Sequence, residues 1–254
     1  MPELPAPDYP ADVRARLDAD AKEIIARYPD SRSALLPLLH LVQAEEGHVT
    51  RTGMRWCAET LGLTTAEVTA VATFYTMYRR RASGDYQVGV CTNTLCAVMG
   101  GDAIFEALKE HLGVGNQGSD MTTADGKVTL EHIECNAACD FAPVVMVNWE
   151  FFDNQTPETA KRLVDDLRDG RAVEPTRGAR LCTFKETARI LAGFPDPRPD
   201  AVEAGGGAGP ASLIGLRLAR GEALPPRVVH PRGAIPPGQN TTDKTPTDEN
   251  TEGE

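Results

Sequence analysis

Two short stretches of this 254-residue chain concentrate its thiols. "VCTNTLC" carries Cys91 and Cys96, and "ECNAACD" carries Cys135 and Cys139. The pattern is C-x4-C, then 38 intervening residues, then C-x3-C, and it takes up four of the six cysteines. Such a set can make disulfides, a redox dithiol, a zinc site or an iron–sulfur cluster. A thioredoxin-type dithiol uses C-x-x-C at a helix N-terminus, two residues tighter than the first pair. Stable disulfides are rare in a reducing compartment. Structural zinc also closes on four thiolates, mostly from C-x2-C knuckles, and stands as the competing reading. A [2Fe–2S] cluster takes two thiolates per iron on a rhomb wider than one ion, and two separate, roomier loops suit it best.

The surroundings of the pairs bear on that choice. Two ferric ions, two sulfides and four thiolates sum to a charge of about −2, and such a buried anion needs backbone N–H donors and close approach of the chain. Ala97, Ala137 and Ala138 leave room for that approach, and Pro143 turns the chain after the second pair. No histidine lies within either pair. His132, three residues before Cys135, reads from strand alternation as a surface imidazole and not as a cluster ligand. Cys57 beside Trp56 reads as a small buried hydrophobe, and Cys182 as packing. His40 and His48 read as surface or capped residues.

The elements that must position these thiols follow from hydrophobic periodicity. Val13, Leu17, Ile24 and Ile25 recur at helical spacing up to Pro29. A second helix starts at Ser31 or Ser33 and ends at Gly47, with Pro37 near its first turn. A third covers about Met54–Leu61. The capping box Thr64-x-x-Glu67 opens a fourth that runs on to Tyr78, with Arg79–Arg80–Arg81 as its solvated end. Residues 10–80 thus form a small antiparallel helical bundle.

After "ASGD" the period changes to two. Tyr86–Val90 is a strand, Ala97–Leu112 a helix, and Val128–Ile133 a second strand. Val144–Val147 and Glu150–Phe152 make a hairpin, and a helix from Pro157 closes at Gly170. A parallel strand pair joined by a crossover, plus a hairpin, gives a thioredoxin-like α/β domain over 83–172. A short helical segment follows over 180–194. The fold class is α+β.

From residue 195 onward there are 10 Pro and 9 Gly in 60 residues and no aromatic residue after Phe194, a composition that predicts a largely disordered tail over 195–254. "ASLIGLRLAR" (211–220) is its one apolar patch, a candidate for ordering on a partner. The net charge of −11 and the lack of a long basic block argue against nucleic acid. "MPELPAPDYP" has no apolar signal core, and no run approaches the 18 apolar residues of a membrane span, so a cytoplasmic chain with no direct membrane insertion is expected. Gly113, Gly115 and Gly118 lack the spacing of a dinucleotide-binding fingerprint.

"ATFYTMY" (72–78), "VCTNTLC", "GKVTLEHIECNAACDFAPVVMVN" (126–148) and "TPETAKRLVDDL" together resemble the 24-kilodalton subunit family of respiratory complex I, NADH:quinone oxidoreductase. The same thioredoxin-like ferredoxin module is similar to subunits of NAD-linked formate dehydrogenases and hydrogenases. The resemblance spans about residues 10–194. It implies one [2Fe–2S] cluster held by Cys91, Cys96, Cys135 and Cys139. It also implies a larger partner subunit that binds FMN and NADH and exchanges single electrons with that cluster. A place in the wider peripheral arm, on the inner face of the cell membrane, and the absence of a catalytic residue on this chain follow from the same likeness. One departure is Asn136–Ala137, where family members often carry Leu–Gly, and it affects the shape of the second loop.

Overall fold

The computed structural model describes residues 7–115, 121–199, 201 and 213–222. The expectation for the tail therefore lies mostly outside the described residues, as do Gly118 and the first two residues of "ASLIGLRLAR".

Four helices form the N-terminal part: α1 (Ala11–Ile25), α2 (Leu35–Glu46), α3 (Arg51–Leu61) and α4 (Thr65–Phe74). A 3-10 turn over Ser31–Ala34, capped by Asp30, precedes α2 and leaves Pro37 in the first helical turn, where no N–H is missed. Gly47 and Gly62 close α2 and α3 in the left-handed conformation, and Thr64 with Glu67 forms the full capping box of α4. Leu17, Ile24, Leu38, Leu39, Val42, Trp56 and Val68 fill the bundle core. Cys57 lies in it fully buried, as a small hydrophobe. His40 is a correction: it is buried beside Tyr78, with ring centroids 4.8 Å apart, rather than at the surface.

Helix α4 stops four residues earlier than periodicity predicts. The amide of Gln43, fully buried, donates to the Met77 carbonyl at 3.1 Å and accepts from the Arg79 N–H at 2.7 Å. The Tyr78 hydroxyl donates to the Leu36 carbonyl at 2.9 Å. These bonds draw residues 77–79 back onto α2, and a continuing helix could not satisfy them. The arginine run is consequently no solvated helix end: Arg79 forms a two-pronged pair with Glu131.

The second part is a four-stranded sheet in the order β2-β1-β3-β4, with β1 (Tyr86–Cys91) parallel to β2 (Val128–Ile133). β3 (Val145–Val147) and β4 (Glu150–Phe152) add an antiparallel hairpin. Its turn, Asn148–Trp149, has φ of 47° and 70°. Asn148 stabilises that geometry by accepting from the Gln87 N–H at 2.8 Å and donating to the carbonyls of Asp85 and Cys182. The expected helix over 97–112 is two: α5 (Thr94–Val98) and α6 (Gly101–Leu112), broken at Gly100 with φ 111°. With α7 (Pro157–Arg168), α6 covers one face of the sheet over Val88, Val90, Leu130, Val145 and Val147. α8 (Phe184–Leu191) docks back on α2, where Lys185 reaches the Glu45 carbonyl at 2.7 Å, while Phe184 stacks on Trp149. Residues 213–222 form a separate unit, the short helix α9 (Ile214–Ala219), with Ile214, Leu216 and Leu218 exposed.

Candidate metal centre

Parallel strands end on the same side of a sheet, and that rule assembles the thiols. Cys91 is the last residue of β1 and pairs with Ile133 at the end of β2. Cys96 follows in α5, Cys135 comes two residues after β2, and Cys139 opens a one-turn 3-10 helix, Cys139–Phe141. Cys91 and Cys96 are buried in a small apolar cluster with Ala138, Ala142, Val144 and Met146. Cys135 and Cys139 are exposed. The group thus has one side set in the protein and one side open.

The thiols act on each other. Burial, joined by the hydrogen bond and charge of Cys91 and the charge of Cys139, pushes the Cys96 thiol up to about 11, against a backbone hydrogen bond at Val144. The Cys139 thiol is raised first by its hydrogen bond with Cys135, then by the charges of Cys135 and Cys91. A compensating cation would favour the thiolate forms of Cys96 and Cys139 against these effects. The structure brings the four predicted thiols into one field and leaves the other two apart. Cys57 sits in the bundle, and Cys182 has its sulfur 3.2 Å from the Thr187 hydroxyl.

The backbone makes room as a buried anion requires. A Cβ on Gly101 would stand 2.4 Å from the Cys91 carbonyl oxygen and 2.9 Å from that of Cys96. In the second loop the Ala137 N–H donates to the Cys135 sulfur at 3.4 Å, and Ala137 itself has φ 54°, a conformation glycine adopts more easily. Among the described residues no three His, Cys, Asp or Glu side chains close on a single ion's position. A two-iron cluster asks for a different geometry, two thiolates per iron across a wider rhomb. The residues present fit that group.

Sequence reasoning missed two supports. Gly101 is one, although a Gly–Gly pair opening an amphipathic stretch was a usable signal. The other is Arg177, which pairs with the buried carboxylate of Asp153 at 2.8 and 2.9 Å. Its guanidinium covers the rings of Phe151 at 4.3 Å and Phe141 at 5.0 Å, tying the Cys139–Phe141 turn to β4. His132 is exposed and packs edge-on to Phe105, in keeping with a surface imidazole.

Residues 21–168 match the family model of the thioredoxin-like [2Fe–2S] ferredoxins. An NADH-quinone oxidoreductase subunit of Mycobacterium tuberculosis is 70% identical over 212 residues, covering 84% of this chain and 82% of that protein. The subunit of the same name from Rickettsia bellii is 38% identical over 152 residues, 59% of this chain and 89% of its own length. A crystal structure of an NAD+-reducing [NiFe]-hydrogenase overlaps with a TM-score of 0.47 at 18% identity, over 54% of this chain and 23% of the hydrogenase chain. On the family match and on relatives covered over most of their length, the chain belongs to the thioredoxin-like [2Fe–2S] ferredoxins, in the family of these NADH-quinone oxidoreductase subunits.

Proposed function

We propose that this chain is the electron-transfer subunit of a proton-translocating NADH:quinone oxidoreductase, with one [2Fe–2S] cluster on Cys91, Cys96, Cys135 and Cys139. FMN and NADH belong to a partner subunit. The observation that carries the reading is the shared placement of two cysteine loops at one end of a parallel strand pair, one pair buried and the other exposed. When bound, such a cluster accepts and passes on single electrons. Cys91 and Cys96 anchor it on the protein side, and the Cys135–Cys139 loop leaves its outer edge open to the partner. Gly101 admits the backbone close to the first pair, and the Ala137 N–H offsets negative charge on the Cys135 sulfur. No described helix is long and apolar enough to cross a membrane, and we place the chain in the peripheral arm, on the inner face of the cell membrane through its complex. The segments 10–80 and 83–172 are taken as its bundle and its cluster-bearing domain.

The test mixes the anaerobically purified chain with its flavin-bearing partner and adds NADH. Bleaching of the cluster's visible absorption that requires the partner supports the reading. An unreduced chain in the presence of reduced partner contradicts it. Co-purification with formate dehydrogenase or hydrogenase subunits would assign the chain to those related assemblies instead.

A further inference from the structure

The sheet has a second face, opposite α6 and α7, which carries Gln87, Gly89 and Met146. That face forms the floor of a cleft of about 1000 Å³ between the sheet and the Tyr75–Ser83 connector, and the cleft ends at Cys135 and Asn136. Gln87 on β1 lines it, 5% exposed, and neither its amide nitrogen nor its amide oxygen has a hydrogen-bond partner among the described residues. The same is true of the Asn136 amide nitrogen and of Nε of Arg79, both also on the cleft. A buried amide without partners is costly, about 1–3 kcal/mol for each group left unsatisfied. These four atoms belong to three side chains that line one cavity. Three of them are donors and one is an acceptor.

The rim adds charge. Arg80 and Arg81 are exposed at the cleft mouth and make no ion pair among the described residues. The cleft lining as a whole carries three arginines, Arg79, Arg80 and Arg81, against two carboxylates, Glu131 and Glu134. Of these, Arg79 is already neutralised by Glu131. Gly89, Ala82, Trp149 and Tyr75 are also part of the cleft lining.

We infer that this cleft receives an extended acidic segment of the flavin-bearing partner subunit, and so fixes that subunit beside the exposed edge of the metal centre. The inference rests on the functional reading above and names how the partner is held. A peptide unit supplies one C=O and one N–H, the complement of the Gln87 amide. Carboxylates on the segment complement Arg80 and Arg81 at the mouth. The size suits a chain segment, since about 1000 Å³ is the upper end of small-ligand sites. Because the cleft ends at Cys135, a segment lying in it ends against the loop through which electrons enter or leave.

The test uses the full chain with its cluster, the unaltered form beside R80E/R81E and Gln87→Leu, and the purified flavin-bearing subunit. Association is measured at low and physiological salt. Hydrogen exchange is followed over 79–83, 86–89 and 129–136. R80E/R81E should weaken association on the order of tenfold or more and flatten its salt dependence. Gln87→Leu should weaken it with the salt dependence kept, and both variants should keep the visible spectrum of the cluster. Partner binding should slow exchange in the three segments. Dissociation constants within about twofold for both variants, or protection confined to other surfaces, would overturn the inference. So would a dimer of this chain that R80E/R81E dissolves, since the occupant would then be a second copy. If the unaltered chain keeps its cluster yet does not bind the flavin subunit, the functional reading fails, and the occupant with it.

Discussion

Gly101 and Cys91 are in backbone contact: no side chain fits between the first residue of α6 and the last residue of β1. A methyl group at 101 would meet the Cys91 carbonyl oxygen at 2.4 Å, a distance that backbone atoms cannot relieve by a rotamer change. Gly101→Ala should therefore push α6 away from the first cysteine pair and cost about 1–3 kcal/mol, the usual range for overpacking. Thermal unfolding and the rate of iron loss to a chelator check this together. Gly100→Ala is a useful contrast. It adds a methyl group with nothing within 4 Å but at φ 111°, so it strains the hinge without touching the cysteines.

The six cysteines should separate into two classes. Replacing Cys91, Cys96, Cys135 or Cys139 by Ser should abolish or strongly alter the visible and paramagnetic signature of the cluster. Cys182→Ser should leave that signature intact. Cys57→Ser should also leave it intact but lower stability by about 1–3 kcal/mol, because it puts a hydroxyl into a sealed apolar site. Six equal phenotypes would contradict the ligand assignment.

Arg177 should act on the second loop from a distance. Arg177→Leu strips the buried Asp153 carboxylate of its guanidinium and removes the cation from the Phe141 ring. The expected loss is about 3 kcal/mol or somewhat less, since one partner stays partly exposed. Iron release should accelerate as the Cys139–Phe141 turn loosens. Arg177→Lys should rescue poorly, because an ammonium can neither fork onto Asp153 nor lie flat on the rings.

His40 gives the bundle a pH dependence of its own. Burial lowers its pKa from 6.5 to about 4. Between those values the unfolded chain binds a proton there and the folded chain does not, so stability falls as pH drops through that interval and levels off below it. From pH 7 to pH 5 the imidazole should account for about 2 kcal/mol of lost stability. Urea unfolding of His40→Leu across that range should show a correspondingly flatter decline, and an unchanged slope would contradict the burial-driven shift.

The second loop carries a strain that can be tested in the opposite direction. Ala137 sits at φ 54°, where an L side chain costs about 1–2 kcal/mol relative to glycine. Ala137→Gly should be neutral to stabilising by up to about 1 kcal/mol, the gain being trimmed by the entropy glycine adds to the unfolded chain. Unfolding midpoints of the two forms decide it.

How much of this was legible in the sequence varies by physical cause. Alternation marked Val128–Ile133 at its observed ends, because local period alone decides a strand with one face on a core, and Glu150–Phe152 was placed as the hairpin partner of the strand before it. Thr64–Glu67 and Gly47 marked helix ends for the same local reason. The early stop of α4 was not legible. It depends on Gln43, 34 residues before Met77, whose buried amide competes for the backbone of the connector. His40 looked like a surface residue because nothing in its own helix says that Tyr78 returns to cover it. The cysteine spacing pointed to a four-thiolate site, yet it could not show that one pair is buried and the other exposed. That difference arises from which loop α5 and α6 close over.

The central claim is most directly tested by iron, zinc and acid-labile sulfide analysis of the full chain purified without oxygen. Two irons and two sulfides per chain, lost together in a Cys135→Ser variant, are the predicted result. One zinc per chain with no sulfide would contradict the account.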